Sequence, residues 1–200
     1  MFTGLIRDIE SRSSTGQPYI TAGTHSAQCG IGWFRIMTDY TSEDSFDQEI
    51  LMEPITNMFS VICDPDAKKV TREDAKWMLV VNEMEREAFK AKYPKASVDG
   101  FDTSEPASEY EQGWYTDDKI RVAEYWVKEP YTLTLGRLPD GQVHRLDDDY
   151  DQDENPYGYE EFRERESHKV YCYKMSGAEI LEDRKEWITP HIPIIAVVGE

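Results

Sequence analysis

The sequence predicts a single α+β domain in which two helices precede a mostly antiparallel set of strands with short helices inserted. Three observations carry this prediction. The first thirty residues have helical spacing of apolar side chains, the rest alternates or forms short apolar runs, and two glycine-containing turns separate strand pairs. A length of 200 residues fits one domain with a substantial core.

Residues 1–30 are interpreted as a helical entry. A first helix is predicted over residues 3–14, because Leu5, Ile6 and Ile9 share one face and charged side chains take the other. A second helix is predicted from about residue 17 to residue 29. Four small residues make it thin enough to lie close to a neighbour: Ala22, Gly23, Ser26 and Ala27.

The stretch "GIGWFRIMTDY", which ends at Tyr40, predicts a strand with two apolar faces. Phe34 and Ile36 lie on one face, and Trp33 and Met37 lie on the other. Such a strand is usually covered on both sides. We interpret the glycines as positions where the chain leaves the helix and enters the sheet without Cβ clashes. A structural role is therefore predicted for five residues: Gly30, Gly32, Trp33, Phe34 and Ile36.

Residues 31–94 are interpreted as strands plus one short helix. "EILMEPI" predicts a partner strand for the first, and Pro54 places a break or a sheet edge there. "FSVICDP" and "AKWMLVVNEM" predict two more strands. "EREAFKAKYP" predicts a short helix that Pro94 closes.

Residues 95–118 are predicted to form an irregular insertion that Trp114 and Tyr115 pin to the body. Residues 119–200 are interpreted as two hairpins, an acidic linker and a final strand. The hairpin turns are assigned to Pro139-Asp140-Gly141 and to Ser176-Gly177. "YGYEEFRERE" predicts a short helix, and "HIPIIAVVGE" predicts the last strand.

The composition excludes several functional classes. The formal net charge of −18 disfavours a protein that grips duplex DNA or an anionic membrane. The start lacks the basic and apolar regions of a secretory signal, and no apolar run reaches membrane-spanning length. The three cysteines match no zinc spacing and are predicted to be reduced and mostly buried in a cytosolic protein: Cys29, Cys63 and Cys172.

An acidic run offers the best candidate for a metal site. Four carboxylates occupy positions 1, 3, 5 and 12 of a calcium-binding EF-hand loop: Asp149, Asp151, Asp153 and Glu160. Glu154 replaces the glycine that the turn requires, and Pro156 replaces an apolar residue. A solvated linker is therefore the preferred interpretation, with weak calcium binding as the alternative and no cofactor predicted.

No arrangement of nucleophiles predicts an enzyme. His144, His168 and His191 are interpreted as surface or structural residues. His25 and Cys29 are four residues apart on the second helix, so their side chains share a face and a catalytic pair is an alternative. A buried helix cysteine is the preferred interpretation, and no catalytic residue is assigned.

The order of segments resembles one family. The segments follow in this order: the helix leading into "GIGWFRIMTDY", the run "EPITNMFSVICDPDAKKVTREDAKWMLV", "FKAKYP", "IRVAEYWVKE", the charged hairpins and "HIPIIAVVGE". Together they are similar to portal proteins of short-tailed, double-stranded DNA phages of the Salmonella-phage type. The resemblance runs from about Leu5 to Glu200. It carries no catalytic signature, and the chain looks like a fragment that covers the wing region of a longer portal.

The resemblance implies a structural component without enzymatic activity. Portals are dodecameric rings in the virion, assembled in the host cytoplasm, through which double-stranded DNA is packaged and ejected. It implies contacts with further copies in the ring, with capsid and scaffolding proteins, and with terminase and tail proteins through regions outside this chain. Membrane contact is not expected.

Other functions stay open at this point. The charge also suits an acidic protein-binding module that mimics DNA, although the interspersed lysines and arginines weigh against it. A calcium-dependent module and a thiol or histidine hydrolase are the remaining alternatives.

Overall fold

The computed structural model describes residues 2–13, 16–96, 114, 118–146, 150 and 155–199. Its helices are α1 (Phe2–Arg12), α2 (Gly16–Cys29) and α3 (Arg86–Lys92), with a 3-10 turn at Met58–Ser60. Its strands are β1 (Ile31–Tyr40), β2 (Gln48–Pro54), β3 (Val61–Cys63), β4 (Trp77–Glu85), β5 (Lys119–Arg137), β6 (Val143–Leu146), β7 (Glu161–Met175), β8 (Ile180–Trp187) and β9 (Ile194–Val198). All strand pairs in this part of the chain are antiparallel, and the predicted α+β class is confirmed.

A small three-stranded sheet has the order β2-β1-β9. β1 pairs with β2 along most of its length, whereas β9 pairs only with its first half, from Ile31↔Val198 to Arg35↔Ile194. Helix α2 packs on one face of this sheet, where Ala22, Phe34 and Met52 form a buried cluster. The prediction that Pro54 marks a sheet edge is confirmed, since β2 is an outer strand.

A larger sheet contains the remaining strands in the order β3-β4-β5-β7-β8, with β6 pairing to the far end of β5. β5 and β7 form a long ribbon that is paired from Ala123↔Met175 to Arg137↔Glu161. The ribbon continues well beyond the last residue of β5 that pairs with β4, which is Val127. Its outer half therefore projects from the body as an arm.

The main core lies between the two sheets. Trp33 and Ile194 from the small sheet pack in one buried cluster with Met78, Trp126 and Val170 from the large sheet. Burial of this apolar surface holds the sheets together, because each sheet covers an apolar face of the other.

An ion pair also crosses between the sheets. The Arg35 guanidinium contacts the Glu53 carboxylate in the small sheet at 2.7 Å and the Glu124 carboxylate in the large sheet at 3.0 Å. One cation thus ties the partner strand of β1 to the centre of the large sheet, beside the apolar cluster that joins the two sheets.

The prediction of a short helix in "YGYEEFRERE" is wrong, because its second half opens strand β7. These charged residues have good helix propensity, but pairing with β5 overrides it. Glu161 lies opposite Arg137 in the register, and their side chains form an ion pair at 2.8 Å. Cross-strand pairs of opposite charge stabilise exposed sheet positions of this kind.

The first strand of the segment predicted as two hairpins is the long strand β5, which contains Pro130. Proline is tolerated in strands where one edge has no partner. Pro130 lies beyond Val127, where pairing with β4 ends, and before Thr134, where pairing with β6 begins. Pro130 therefore lies where one edge of β5 pairs with neither β4 nor β6, which suits a residue that has no backbone N–H to donate.

The loop between β3 and β4 is organised by two carboxylates. The buried Asp64 carboxylate accepts hydrogen bonds from the backbone amides of Asp66 and Lys76, at 3.0 and 2.9 Å. Asp74 accepts from the amides of Lys68 and Lys69. The amide of Lys76, followed by that of Asp66, lowers the pKa of Asp64. Ionised Asp64 therefore stabilises the loop.

We expect Asp64→Ala to lower the melting temperature by several degrees at neutral pH, because two backbone amides lose the buried carboxylate that accepts from them. A carboxylate with a lowered native pKa contributes stability above the pKa of the unfolded residue, about 3.9. That contribution is lost as the pH falls through the native value. The melting difference between variant and parent should thus shrink on acidification. Asp66→Ala is the control, since Asp66 is exposed; an equal loss for both variants would contradict the assignment.

Candidate assembly surfaces

Four of the five residues predicted to be structural lie in β1, and Gly30 directly precedes the strand. Phe34 is buried against α2, and its ring meets that of Tyr19 edge-on at 5.5 Å. Trp33 is buried in the core between the sheets. Ile36 is half-buried and lines a cleft described below. No ligand-binding cluster forms from these residues in the described part of the chain.

Gly30 and Gly32 are each required to be glycine, for different physical reasons. Gly30 has φ of +86°, a left-handed conformation that ends α2, and its amide donates to the Ser26 carbonyl at 2.8 Å. Gly32 is the point of closest approach between α2 and β1. A Cβ at Gly32 would lie 1.9 Å from the Ala22 carbonyl oxygen, so no other residue fits without moving the helix.

The prediction of a buried Cys29 is wrong, because the side chain is exposed at the end of α2. His25 is half-buried, and its Nδ1 has no hydrogen-bond partner within the described residues. No hydrogen bond joins the two side chains there. Cys63 and Cys172 are half-buried free thiols, and burial raises the pKa of Cys172 to about 12. Burial raises the pKa of Cys63 as well, and a raised pKa is the opposite of what a nucleophilic cysteine needs.

The calcium candidates Asp149, Asp151 and Asp153 lie outside the described residues. Glu160 is exposed beside the tip of the arm, and its amide donates to the Arg137 carbonyl. Among the residues that the structure describes, no group of three or more histidine, cysteine or acidic side chains has an arrangement suited to a metal ion.

Aromatic side chains close the tip of the arm. Tyr159 is buried over Gly136, where a Cβ would lie 2.8 Å from its ring, and its hydroxyl lies 3.1 Å from Nδ1 of His144. The Asn155 side chain holds the Tyr159 backbone by accepting from its amide and donating to its carbonyl, both at 2.8 Å. His144 is therefore part of a structural cap. Likewise, Nε2 of His168 donates to the Pro190 carbonyl at 2.7 Å.

Trp114 fixes the predicted insertion to the large sheet. Its indole covers Gly177 in the β7–β8 turn, where a Cβ would lie 2.5 Å from the ring, and its carbonyl accepts from the Arg121 amide. The rest of the predicted insertion between residues 97 and 117, including Tyr115, lies outside the described residues.

A cleft of about 530 Å³ opens where the two sheets meet. It lies beside the start of β9. Pro193 directly precedes this strand, and its carbonyl accepts a hydrogen bond from the Ile36 amide. Its apolar lining consists of buried or half-buried side chains from both sheets: Ile36, Met78, Trp187, Ile192 and Ile194. The cleft exists because β1 continues past the start of β9 and leaves this corner uncovered.

Cations accompany the apolar lining of the cleft. Arg72 donates to the Ala67 carbonyl and Lys128 donates to the Glu73 carbonyl, each at 2.7 Å. Within the described part of the chain, neither of the two forms an ion pair. The Glu73 carboxylate is paired with Lys69 instead. Burial lowers the pKa of Lys128, which is consistent with an ammonium group drawn into a partly apolar wall.

The loop between β1 and β2 presents one large apolar side chain. Phe46 is 97% exposed, the highest value among the large hydrophobic residues that the structure describes. The loop is nevertheless ordered by hydrogen bonds, from the Thr41 amide to the Asp47 carbonyl and from the Asp47 amide to Oγ of Ser45. We call residues 41–47 the hairpin tip.

Sequence reasoning missed both the cleft and the hairpin tip. The tip does carry a local signal, namely a lone aromatic residue among acidic ones between two strands. The cleft has no local signal, since its walls come from segments more than a hundred residues apart. A further apolar surface lies on α1, where Phe2, Leu5 and Ile6 are exposed.

Comparison with known proteins gives a consistent result over the chain. A family model described as phage P22-like portal protein matches residues 1–200. The portal protein of Acyrthosiphon pisum secondary endosymbiont phage 1 is 27% identical over 214 residues, which cover 98% of this chain. The chain spans 29% of the length of that relative. None of the described helices is both long enough and apolar enough to cross a membrane.

Proposed function

Because the chain belongs to the phage P22-like portal protein family, we propose that it forms the wing-like part of a portal ring through which double-stranded DNA passes. The observation that carries this proposal is the family match along all 200 residues. Ring formation and DNA passage are assigned to the longer protein, since this chain spans 29% of its relative.

The surface charge supports a wall that does not hold DNA. A formal net charge of −18 repels the phosphates of DNA. A duplex that moves past such a surface is therefore not slowed by binding to it. The two-sheet body supports a structural role, because one buried apolar cluster joins the two sheets. We assign no catalytic residue to it.

The proposed partners are those that a subunit of a portal ring would meet in the virion. Further copies of the chain would flank it in a ring, which the family resemblance gives as a dodecamer. Capsid and scaffolding proteins would meet the outer surface. Terminase and tail proteins would dock on parts of the longer protein, during assembly in the host cytoplasm and afterwards in the virion.

The distribution of carboxylates weighs against the alternative of an acidic DNA mimic. Such a module presents unpaired carboxylates at phosphate-like spacing. Here acidic side chains of the large sheet face cations across strands, as in Glu83 with Lys119 at 3.2 Å and Glu129 with Arg184 at 3.0 Å. Charges interleaved in this way favour a solvated sheet surface.

Light-scattering mass tests the proposal. The 200-residue chain would be compared with a full-length portal protein that contains it. We expect the short chain to stay small and the longer protein to form a closed ring. A longer protein that remains monomeric across salt and protein concentration would overturn the proposal, and binding to nucleic-acid-binding proteins would then test the acidic module.

A further inference from the structure

We propose that the hairpin tip of one copy inserts Phe46 into the cleft of a second copy, forming a head-to-tail contact between neighbours. This inference rests on the proposed function, because it names surfaces that would join adjacent subunits of the ring. The tip and the cleft are different surfaces of one chain. A contact between them is therefore heterologous and repeats around a ring when the rotation per subunit closes.

The hairpin tip is built to present its aromatic side chain. An exposed phenylalanine leaves a large apolar area in water, and burial of such a residue is a common source of binding energy at interfaces. Phe46 is nearly fully exposed, yet its loop is fixed by the backbone hydrogen bonds at Thr41 and Asp47. An anchor that is already ordered loses little conformational freedom on binding.

The cleft has the size and lining that such an anchor needs. Its volume is about 530 Å³, and a cavity of about 150 Å³ is enough to hold benzene. The lining by Met78, Trp187 and Ile192 offers contacts for an aromatic ring. The remaining space accommodates the backbone on either side of the phenylalanine.

Charge complementarity selects this occupant. The hairpin tip surrounds its aromatic residue with acidic side chains, namely Glu43, Asp44 and Asp47. The cleft carries Arg72 and Lys128, which form no ion pair among the described residues, and the Glu73 carboxylate in the same lining is paired with Lys69. In a chain with a net charge of −18, two copies repel each other unless opposite charges meet locally.

The fold keeps the hairpin tip away from the cleft of its own chain. β1 and β2 stay paired up to Tyr40↔Gln48, and Ile36 at the cleft pairs with Met52. Tyr40 lies four residues after Ile36 along β1, a distance of about 13 Å, and the tip lies beyond. Phe46 therefore points outward from its own subunit and is available to another.

Site-specific photo-crosslinking in the assembled full-length protein tests the contact. Phe46 would be replaced by p-benzoylphenylalanine, which keeps an aromatic side chain and inserts into nearby C–H bonds. We expect crosslinks between subunits that mass spectrometry maps to peptides containing Met78 or Ile192. The same replacement at Phe59, which is 79% exposed in the 3-10 turn before β3, is the matched control and should give no crosslinks between subunits to these peptides.

Substitution tests the energetics of the same contact. Phe46→Ala should weaken subunit association at least tenfold, as expected for a central aromatic anchor, whereas Phe59→Ala should leave it unchanged. Asp44→Lys should also weaken association, and combining it with Arg72→Glu should restore part of the loss. Rescue by the paired charge reversal would not occur if either change acted only by unfolding its own loop.

Two results would overturn the contact while leaving the proposed function intact. One is a ring whose stability is unchanged by Phe46→Ala, and the other is a crosslink from position 46 to any surface other than the cleft. A parent protein that forms no ring would count against the proposed function instead. Crosslinking of the concentrated 200-residue chain would then decide the contact by itself.

Discussion

Replacing Gly32 by alanine is expected to detach α2 from the small sheet. A Cβ at this position would lie 1.9 Å from the oxygen, 2.7 Å from the carbon and 2.9 Å from the Cα of Ala22, all of them backbone atoms. No side-chain rotation relieves such an overlap, so the helix must move and open the cluster around Phe34. We expect a loss of about 3 kcal/mol or more of unfolding free energy, measured by urea denaturation.

Gly23 provides the control on the same helix. It lies within α2, and nothing lies within 4 Å of a Cβ built there. Gly23→Ala should therefore stabilise the protein by about 0.5–1 kcal/mol, because alanine loses less backbone entropy in a helix. Faster hydrogen exchange confined to α2 in Gly32→Ala would identify the cause. Equal stability of the two variants would show that α2 does not pack as described.

Truncation of Trp126 is expected to have the second large effect. Its side chain is 3% exposed between the two sheets, and its ring meets that of Trp187 edge-on at 5.6 Å. Trp126→Ala removes one of the two buried tryptophans from the cluster that joins the sheets and leaves a cavity. We expect a loss of about 3–5 kcal/mol, a large part of the stability of about 5–15 kcal/mol typical of a domain.

Trp77 is the matched control for Trp126. It lies next to Met78, the residue that pairs with Trp126, and so faces the opposite side of the same sheet. Its side chain is half-buried, with its ring 6.4 Å from that of Tyr125. Trp77→Ala should cost less than half as much in thermal and chemical unfolding. A similar cost for both residues would contradict a core located between the sheets.

Local patterns were enough to predict elements whose signals are short-range. Both N-terminal helices, the two-faced strand β1 and the hairpin turn at Ser176 and Gly177 agree with the sequence prediction. Each depends on spacing within about ten residues, where helical and strand periods are distinct. The turn at Asp140 and Gly141 is confirmed for the same reason, since Gly141 has φ of +85°.

Pairing between distant segments could not be predicted in this way. β9 was predicted as a strand, but nothing in its sequence identifies β1 as its partner. The start of β7 was assigned to a helix because its charged residues have helix propensity, and only the presence of β5 decides otherwise. The cleft arises from the same long-range pairing, and so the sequence carried no signal for it.

The pairing of β1 with β9 has a consequence for the order of folding. The partners Ile31 and Val198 are separated by nearly the whole chain, whereas every strand of the large sheet lies between Val61 and Trp187. The large sheet can therefore close without β9. The small sheet cannot, because its central strand β1 keeps one edge open until β9 pairs with it. Contacts of such high sequence separation form slowly, and the corner that bears the cleft is completed last.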